Sequence, residues 1–158
     1  MHHLAGEYEC KLDEKGRLKL PLQLVRQLSP KGAINFTINR GFEKCLTLYP
    51  DQVWEQVVQG FDRLVYFNQK ERKFLRYFFG GATPVSTDSV DRVNLPKPLT
   101  EWAGINREVV LVSMRDRVEI WSKELYRKMR EDEMNEDAAS DLAEEVFARK
   151  INAEEESA

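Results

Sequence analysis

The sequence predicts an α+β protein built from two copies of one small four-stranded unit that share a single core. Three observations carry this expectation. Short segments alternate apolar and polar residues with period two, proline-led helical segments follow them, and the pattern restarts about halfway along the chain. The run Asp13-Glu14-Lys15-Gly16-Arg17-Leu18-Lys19-Leu20-Pro21 returns 75 residues later as Asp88-Ser89-Val90-Asp91-Arg92-Val93-Asn94-Leu95-Pro96, identical at four of nine positions. A period of this length is too long for a solenoid and implies a duplicated domain. One half, of about 45 residues, is near the size at which a lone core becomes marginal. Interleaving the strands of both halves around an internal two-fold axis solves that problem for the pair.

Tyr8 to Leu12 and Leu18 to Leu20 read as half-buried strands. The intervening Asp13 to Arg17 has turn chemistry: Gly16 is free to take a positive φ and Asp13 can accept backbone N–H groups. Together they read as a hairpin. Pro21 opens a helix over Leu22 to Leu28, stopped by Ser29-Pro30-Lys31-Gly32. Two more strands, Ile34 to Ile38 and Cys45 to Tyr49, flank a loop. Pro50 and Asp51 start an amphipathic helix running to about Leu64. Asn68 with Glu71 has the form of a capping box for a second helix, Gln69 to Phe79, terminated by Gly80-Gly81. In the second half a helix follows Pro96, Val109 to Ser113 and Val118 to Trp121 are strands, and Ser122 caps a further helix. The expected organisation is a first repeat over 5–50, connecting helices over 51–80, a second repeat over 81–124 and a C-terminal helix with an acidic tail over 125–158.

The 158 residues carry 24 Lys plus Arg against 27 Asp plus Glu, a formal charge of −3. That average conceals an asymmetry. Residues 131–158 hold eleven acids and two bases, net −9, whereas residues 1–130 hold 22 bases and 16 acids, net +6. A basic body able to attract phosphate backbones therefore bears an acidic extension. The extension reads as a solvated, partly disordered segment in which Leu142, Val146 and Ile151 could support part of a helix, with folding against the basic surface of its own or a neighbouring subunit in competition with DNA as the functional alternative. No apolar run approaches the ~18 residues of a membrane helix, and the start lacks the basic and apolar regions of a secretory signal, so a cytoplasmic protein is expected.

Catalysis is not expected. The two histidines, His2 and His3, sit at the chain start, leaving no histidine elsewhere for acid/base or triad chemistry. Cys10 and Cys45 have no Cys-x-x-Cys partner, so no metal and no cofactor are expected, and both cysteines read as small buried side chains. No P-loop and no small-molecule substrate site is legible.

The residues with binding chemistry lie on the first turn and strand. Parity on the first hairpin puts Lys15, Arg17 and Lys19 together, opposite the Leu18 and Leu20 face. Such a cationic row can hold phosphates, and arginine suits bidentate contact with guanine. The same spacing equally describes an internal Asp13–Arg17 ion pair that only braces the turn. Recurrence of Asp88 and Arg92 favours two arginine sites related by a pseudo-dyad, suited to repeated DNA half-sites. A second basic row, Lys70, Arg72, Lys73 and Arg76, reads as a solvated helix face or a polyanion contact.

Taken together, Gly6-Glu7-Tyr8, Leu12-Asp13, Lys15-Gly16-Arg17-Leu18, Phe78-Phe79-Gly80-Gly81-Ala82, Ala103-Gly104-Ile105, Glu108 to Val112 and Glu119-Ile120-Trp121 resemble the MraZ family, over residues 4 to about 130. The resemblance implies a tandem swapped-hairpin, AbrB-like β-barrel fold and a bacterial transcriptional regulator of the division and cell wall gene cluster. It also implies nucleoid association and a ring-like homo-oligomer bound to double-stranded DNA at repeated promoter elements. The family's two Asp-x-x-x-Arg motifs map onto Asp13 with Arg17 and Asp88 with Arg92. The second motif usually has glycine before its arginine, where this chain has Asp91; Val90 and Asn94 also replace the counterparts of Lys15 and Lys19. The first motif is therefore expected to supply more phosphate affinity. A protein-interaction scaffold with incidental DNA contact is the competing reading.

Overall fold

The structure is a computed structural model describing residues 3–28, 31–64 and 66–158. His2 and the helix stop expected at Ser29-Pro30 lie outside the described residues. Two compact units divide the chain, Met1–Lys123 and Glu124–Ala158.

The first unit contains every strand. In chain order these are β1 (Glu7–Lys11), β2 (Arg17–Lys19), β3 (Asn35–Arg40), β4 (Leu46–Pro50), β5 (Thr83–Ser86), β6 (Arg92–Asn94), β7 (Glu108–Met114) and β8 (Arg117–Ser122). Helix α1 (Leu22–Leu28) follows β2, α2 (Asp51–Gln59) and α3 (Gln69–Gly81) join the halves, and α4 (Lys97–Trp102) follows β6. The main sheet is antiparallel, in the order β1-β7-β8-β4-β3-β5, and a two-stranded ribbon pairs β2 with β6. The sheet thus interleaves the two repeats, the second repeat's β7 and β8 lying between β1 and β4 of the first, and the first repeat's β4 and β3 between β8 and β5 of the second.

The registers obey an internal two-fold relation. In β4·β8, Leu46 faces Ile120 and Leu48 faces Val118, while in β2·β6, Leu18 faces Val93 and Arg17 and Lys19 face Asn94 and Arg92. Exchanging the repeats maps each of these sets onto itself. The core follows the same rule, because Leu18, Ile38, Leu46 and Leu48 from one repeat and Val93, Val109, Leu111, Val118 and Ile120 from the other bury together at 0–1% exposure. Each such side chain contributes roughly 1.5–3 kcal/mol relative to an exposed one. Neither repeat encloses these residues alone.

Several expectations change. β1 and β2 do not form a hairpin with one another. Each pairs instead with the other repeat, β1 with β7 and β2 with β6, because local alternation encodes a strand but not its partner. Strand β5 was not anticipated; it is four residues long, carries Pro84, and lies at the sheet edge where a missing N–H is tolerated. Helix α2 is shorter than its periodicity implied and gives way to turns after Gln59.

Gly80 and Gly81 do not stop α3 but lie inside it, with Ala82 as the cap. Gly81 has no room for a side chain because α3 lies against β3, whereas a Cβ on Gly80 would come no nearer than 3.9 Å to Arg40. A Cβ on Gly81 would sit 2.5 Å from Asn39 Oδ1 and 3.0 Å from Arg40 Nε. Asn39, fully buried, donates from Nδ2 to the Phe78 carbonyl at 2.8 Å, and the Arg40 guanidinium donates to the Tyr77 carbonyl while lying over the Tyr77 ring. Phe78 stacks on Trp54 of α2 and on Phe74 of α3, and Phe61, just after α2, meets Phe74 and Phe78 edge-on, at centroid separations of 5.1–5.7 Å. Asn68 caps α3 as expected, its Oδ1 accepting from the Lys70 and Glu71 amides.

The second unit holds α5 (Lys123–Glu133), which starts one residue earlier in the first unit, and α6 (Glu136–Ser157). Asn135 Oδ1 caps α6 by accepting from the Ala138 amide at 3.0 Å. The acidic extension is therefore helical rather than irregular, yet no residue of α6 is buried. Among the described residues no helix is long and apolar enough to cross a membrane.

Candidate nucleic-acid interface

The two Asp-x-x-x-Arg segments fold into the same turn. Asp13 Oδ1 accepts from the amides of Lys15 and Arg17, both at 2.9 Å, and Asp13 Oδ2 accepts from Arg17 Nε at 2.7 Å. Asp88 Oδ1 accepts from the amides of Val90 at 3.0 Å and Arg92 at 2.9 Å, and its Oδ2 accepts from Arg92 Nε at 2.7 Å. The Gly16 and Asp91 amides donate to the carbonyls of Asp13 and Asp88 at 3.0 and 3.1 Å. Accepting backbone N–H groups, first that of the paired arginine, holds both carboxyls below the usual carboxylate range.

The position before each arginine is left-handed: φ is 76° at Gly16 and 62° at Asp91. Asp91 therefore keeps the backbone that glycine would supply, aspartate being among the few side-chain-bearing residues that adopt it readily. Each tip also crosses to the other repeat. The Leu20 amide donates to the Asp91 carbonyl at 2.9 Å, and the Leu95 amide to the Gly16 carbonyl at 3.3 Å.

Pairing β2 with β6 brings the sequence-singled residues onto one surface. Leu18 and Val93 are fully buried beneath the ribbon, so Arg17, Lys19, Arg92 and Asn94 point to its other face. Arg17 stands directly across from Asn94, and Lys19 directly across from Arg92. Each arginine is ion-paired through Nε only, and among the described residues its terminal nitrogens have no other hydrogen-bond partner. The brace and the binding surface are thus compatible: the carboxylate aims the guanidinium and leaves its outer edge open. Lys15 is exposed at the tip of the first turn.

Val90 and Asn94 leave the second repeat without either lysine of the first, but Lys19 of the first repeat lies directly across from Arg92. Sequence comparison alone missed that pairing, and with it the placement of Asn94 against Arg17. The signal was the repeat offset itself, since an antiparallel two-fold pairing about Leu18 and Val93 forces position 19 against position 92.

Two other groups of polar side chains lie away from the ribbon. At the β7–β8 turn, Arg117 Nε donates to Asp116 at 2.7 Å and the guanidinium lies 5.0 Å from the Tyr49 ring centre, next to Arg115 at φ 69°. Glu43, Cys45 and Glu119 bring three ligand atoms within 4.8 Å of one another. Burial, with the neighbouring Glu119 and Glu43 carboxylates, pushes the Cys45 thiol strongly up.

The family model described as "MraZ protein, putative antitoxin-like" matches the chain twice, over residues 3–77 and 78–150. The chain belongs to the MraZ family. Proteins named Transcriptional regulator MraZ are similar over most of its length. That of Christiangramia forsetii is 42% identical, covering 93% of this chain and 94% of the relative. Those of Flavobacterium psychrophilum and Cytophaga hutchinsonii are 38% and 36% identical, covering 93% and 94% of this chain and 93% and 97% of theirs. Each MraZ match contains one Asp-x-x-x-Arg turn, so the β2·β6 ribbon is assembled from both.

Proposed function

We propose that this protein is a bacterial transcriptional regulator that binds double-stranded DNA through the β2·β6 ribbon, with Arg17, Lys15, Lys19 and Arg92 as the contacting residues. In this reading Asp13, Gly16 and Asp88 shape the turns. The observation that carries it is the braced pair of arginines on one exposed two-stranded ribbon, whose width suits the roughly 12 Å major groove. The relatives' printed names support regulation of transcription.

The finer reading is a tandem swapped-hairpin, AbrB-like barrel with the repeat boundaries given above. Ring-like homo-oligomers of it bind repeated promoter elements of the division and cell wall gene cluster, in the cytoplasm at the nucleoid. A single ribbon offers few charges, and linking several along repeated sites raises avidity by roughly 10²–10⁴ without new contacts.

Salt titration tests the assignment. Log Kd for a promoter fragment should rise with log salt at a slope of about 0.9 per neutralised phosphate, and Arg17→Ala should lower that slope. A slope near zero for the unmodified protein excludes the DNA reading.

A further inference from the structure

The two ends of the ribbon share a backbone but differ in chemistry. Arg17 and Arg92 are equivalent under the internal two-fold, each braced at 2.7 Å by its own aspartate. Their cross-strand neighbours are not equivalent, being Asn94 beside Arg17 and Lys19 beside Arg92. Both neighbours are exposed, and the Asn94 amide has no hydrogen-bond partner among the described residues. Directly opposed residues on one face hold their Cβ atoms about 4.5–5.5 Å apart, close enough for the two side chains to address adjacent base pairs rising ~3.4 Å per step.

The two neighbours recognise different base edges. An asparagine amide both accepts and donates, which matches the N6 donor and N7 acceptor of adenine in the major groove. A lysine ammonium only donates, so it meets acceptor edges such as guanine O6 and N7, or a phosphate, and cannot select adenine through its N6–H.

We infer that Asn94 is a specificity-determining residue: the Arg17/Asn94 end of the ribbon reads a guanine with a neighbouring adenine, the Arg92/Lys19 end reads a guanine without that adenine requirement, and the protein consequently binds DNA in one polarity. This rests on the proposed DNA-binding role of the ribbon and adds to it an orientation that a two-fold fold does not by itself supply. A symmetric ribbon favours an inverted site, whereas a ribbon with unlike ends favours repeats that all point the same way, each subunit facing the same direction along the duplex.

In vitro selection from a randomised duplex library, using the full chain and three variants, tests the inference. The unmodified protein is expected to select guanine at both arginine positions with adenine beside only one, discriminated roughly 5- to 150-fold against other bases. Asn94→Lys should abolish that adenine preference, remove the polarity of the site and steepen the salt dependence. Asn94→Gln, which keeps the amide chemistry, should retain part of the preference. Lys19→Asn should add an adenine on the second side and make the selected site inverted-symmetric. Position 94 is an exposed ribbon residue, so folding is checked in each variant by its thermal midpoint. A sharp selection that Asn94→Lys leaves unchanged overturns the assignment of Asn94 alone. A flat selection by the unmodified protein overturns the DNA reading, and this inference with it.

Discussion

The turns at residues 13–17 and 88–92 are built from different residues and have nearly the same geometry. Corresponding hydrogen bonds differ by 0.1 Å or less, although Glu14, Lys15 and Gly16 in one become Ser89, Val90 and Asp91 in the other. What the two retain is the aspartate that accepts three donors and the arginine that supplies two of them. The residues free to vary are those whose side chains leave the turn. Duplication has preserved the scaffold of the interface while letting its chemistry diverge, and the antiparallel pairing then places the divergent positions of one repeat against the invariant arginine of the other.

The largest expected effect comes from breaking what the turns share. Leu18 is fully buried under the ribbon against Val93. Leu18→Ala should cost about 2–5 kcal/mol, read as a lowered denaturant midpoint. Both repeats should unfold in the same single transition, because β2 has its partner in β6. Two separated transitions would show that the repeats are independent.

A smaller effect separates the turns at their left-handed position. Gly16→Asp should destabilise by about 1 kcal/mol through conformation alone, since nothing lies within 4 Å of a Cβ placed there. Asp91→Gly should change stability less than that, while removing a negative charge beside Arg92 and tightening DNA binding a few-fold at low salt. Denaturant titration and binding at two salt concentrations check both. Equal and negligible stability changes would mean that the glycine is interchangeable with aspartate in this turn.

The smallest effect is with pH. Asp13 and Asp88 are held below their ordinary value of 3.8. Their stabilisation is therefore fully present above that value and is lost only as pH falls through the lowered ones. Between pH 8 and 5 they should contribute no change in thermal midpoint. Below pH 4 the midpoint should fall, and less steeply in the Asp13→Asn, Asp88→Asn double variant, which has given up that stabilisation at every pH.

Much of this was readable from local pattern. Helix α1 covers the residues that Pro21 and the Leu24, Val25 and Leu28 spacing implied, and the Asp13 and Asp88 turns form as their spacing required. Non-local facts were not readable. Alternation in Tyr8 to Leu12 marks a strand, but only the folded sheet shows it against β7. Gly80-Gly81 carries a helix-stop signal, yet the helix runs through both, and Gly81 lies where Asn39 and Arg40, some 40 positions away in sequence, leave no room for a Cβ. A change from glycine to aspartate signals, locally, a loss of backbone freedom, yet Asp91 adopts the left-handed φ that glycine would supply. The candidate site shows the same division. Its arginines were visible one at a time, whereas the neighbours that distinguish its two ends belong to the opposite repeat.

The interleaved pairing also has a consequence for synthesis. When β1 and β2 leave the ribosome, their hydrogen-bonding partners β7 and β6 are not yet made, and the wait from Lys19 to Arg92 is roughly 4–15 s at about 5–20 residues per second. For that interval the nascent chain carries unpaired strand edges and the uncovered side chains of Leu18 and Leu20. Because these long-range contacts close late, folding is slow compared with a local hairpin. The emerged N-terminal segment of the nascent chain, rather than the finished protein, is where this architecture is most exposed to aggregation.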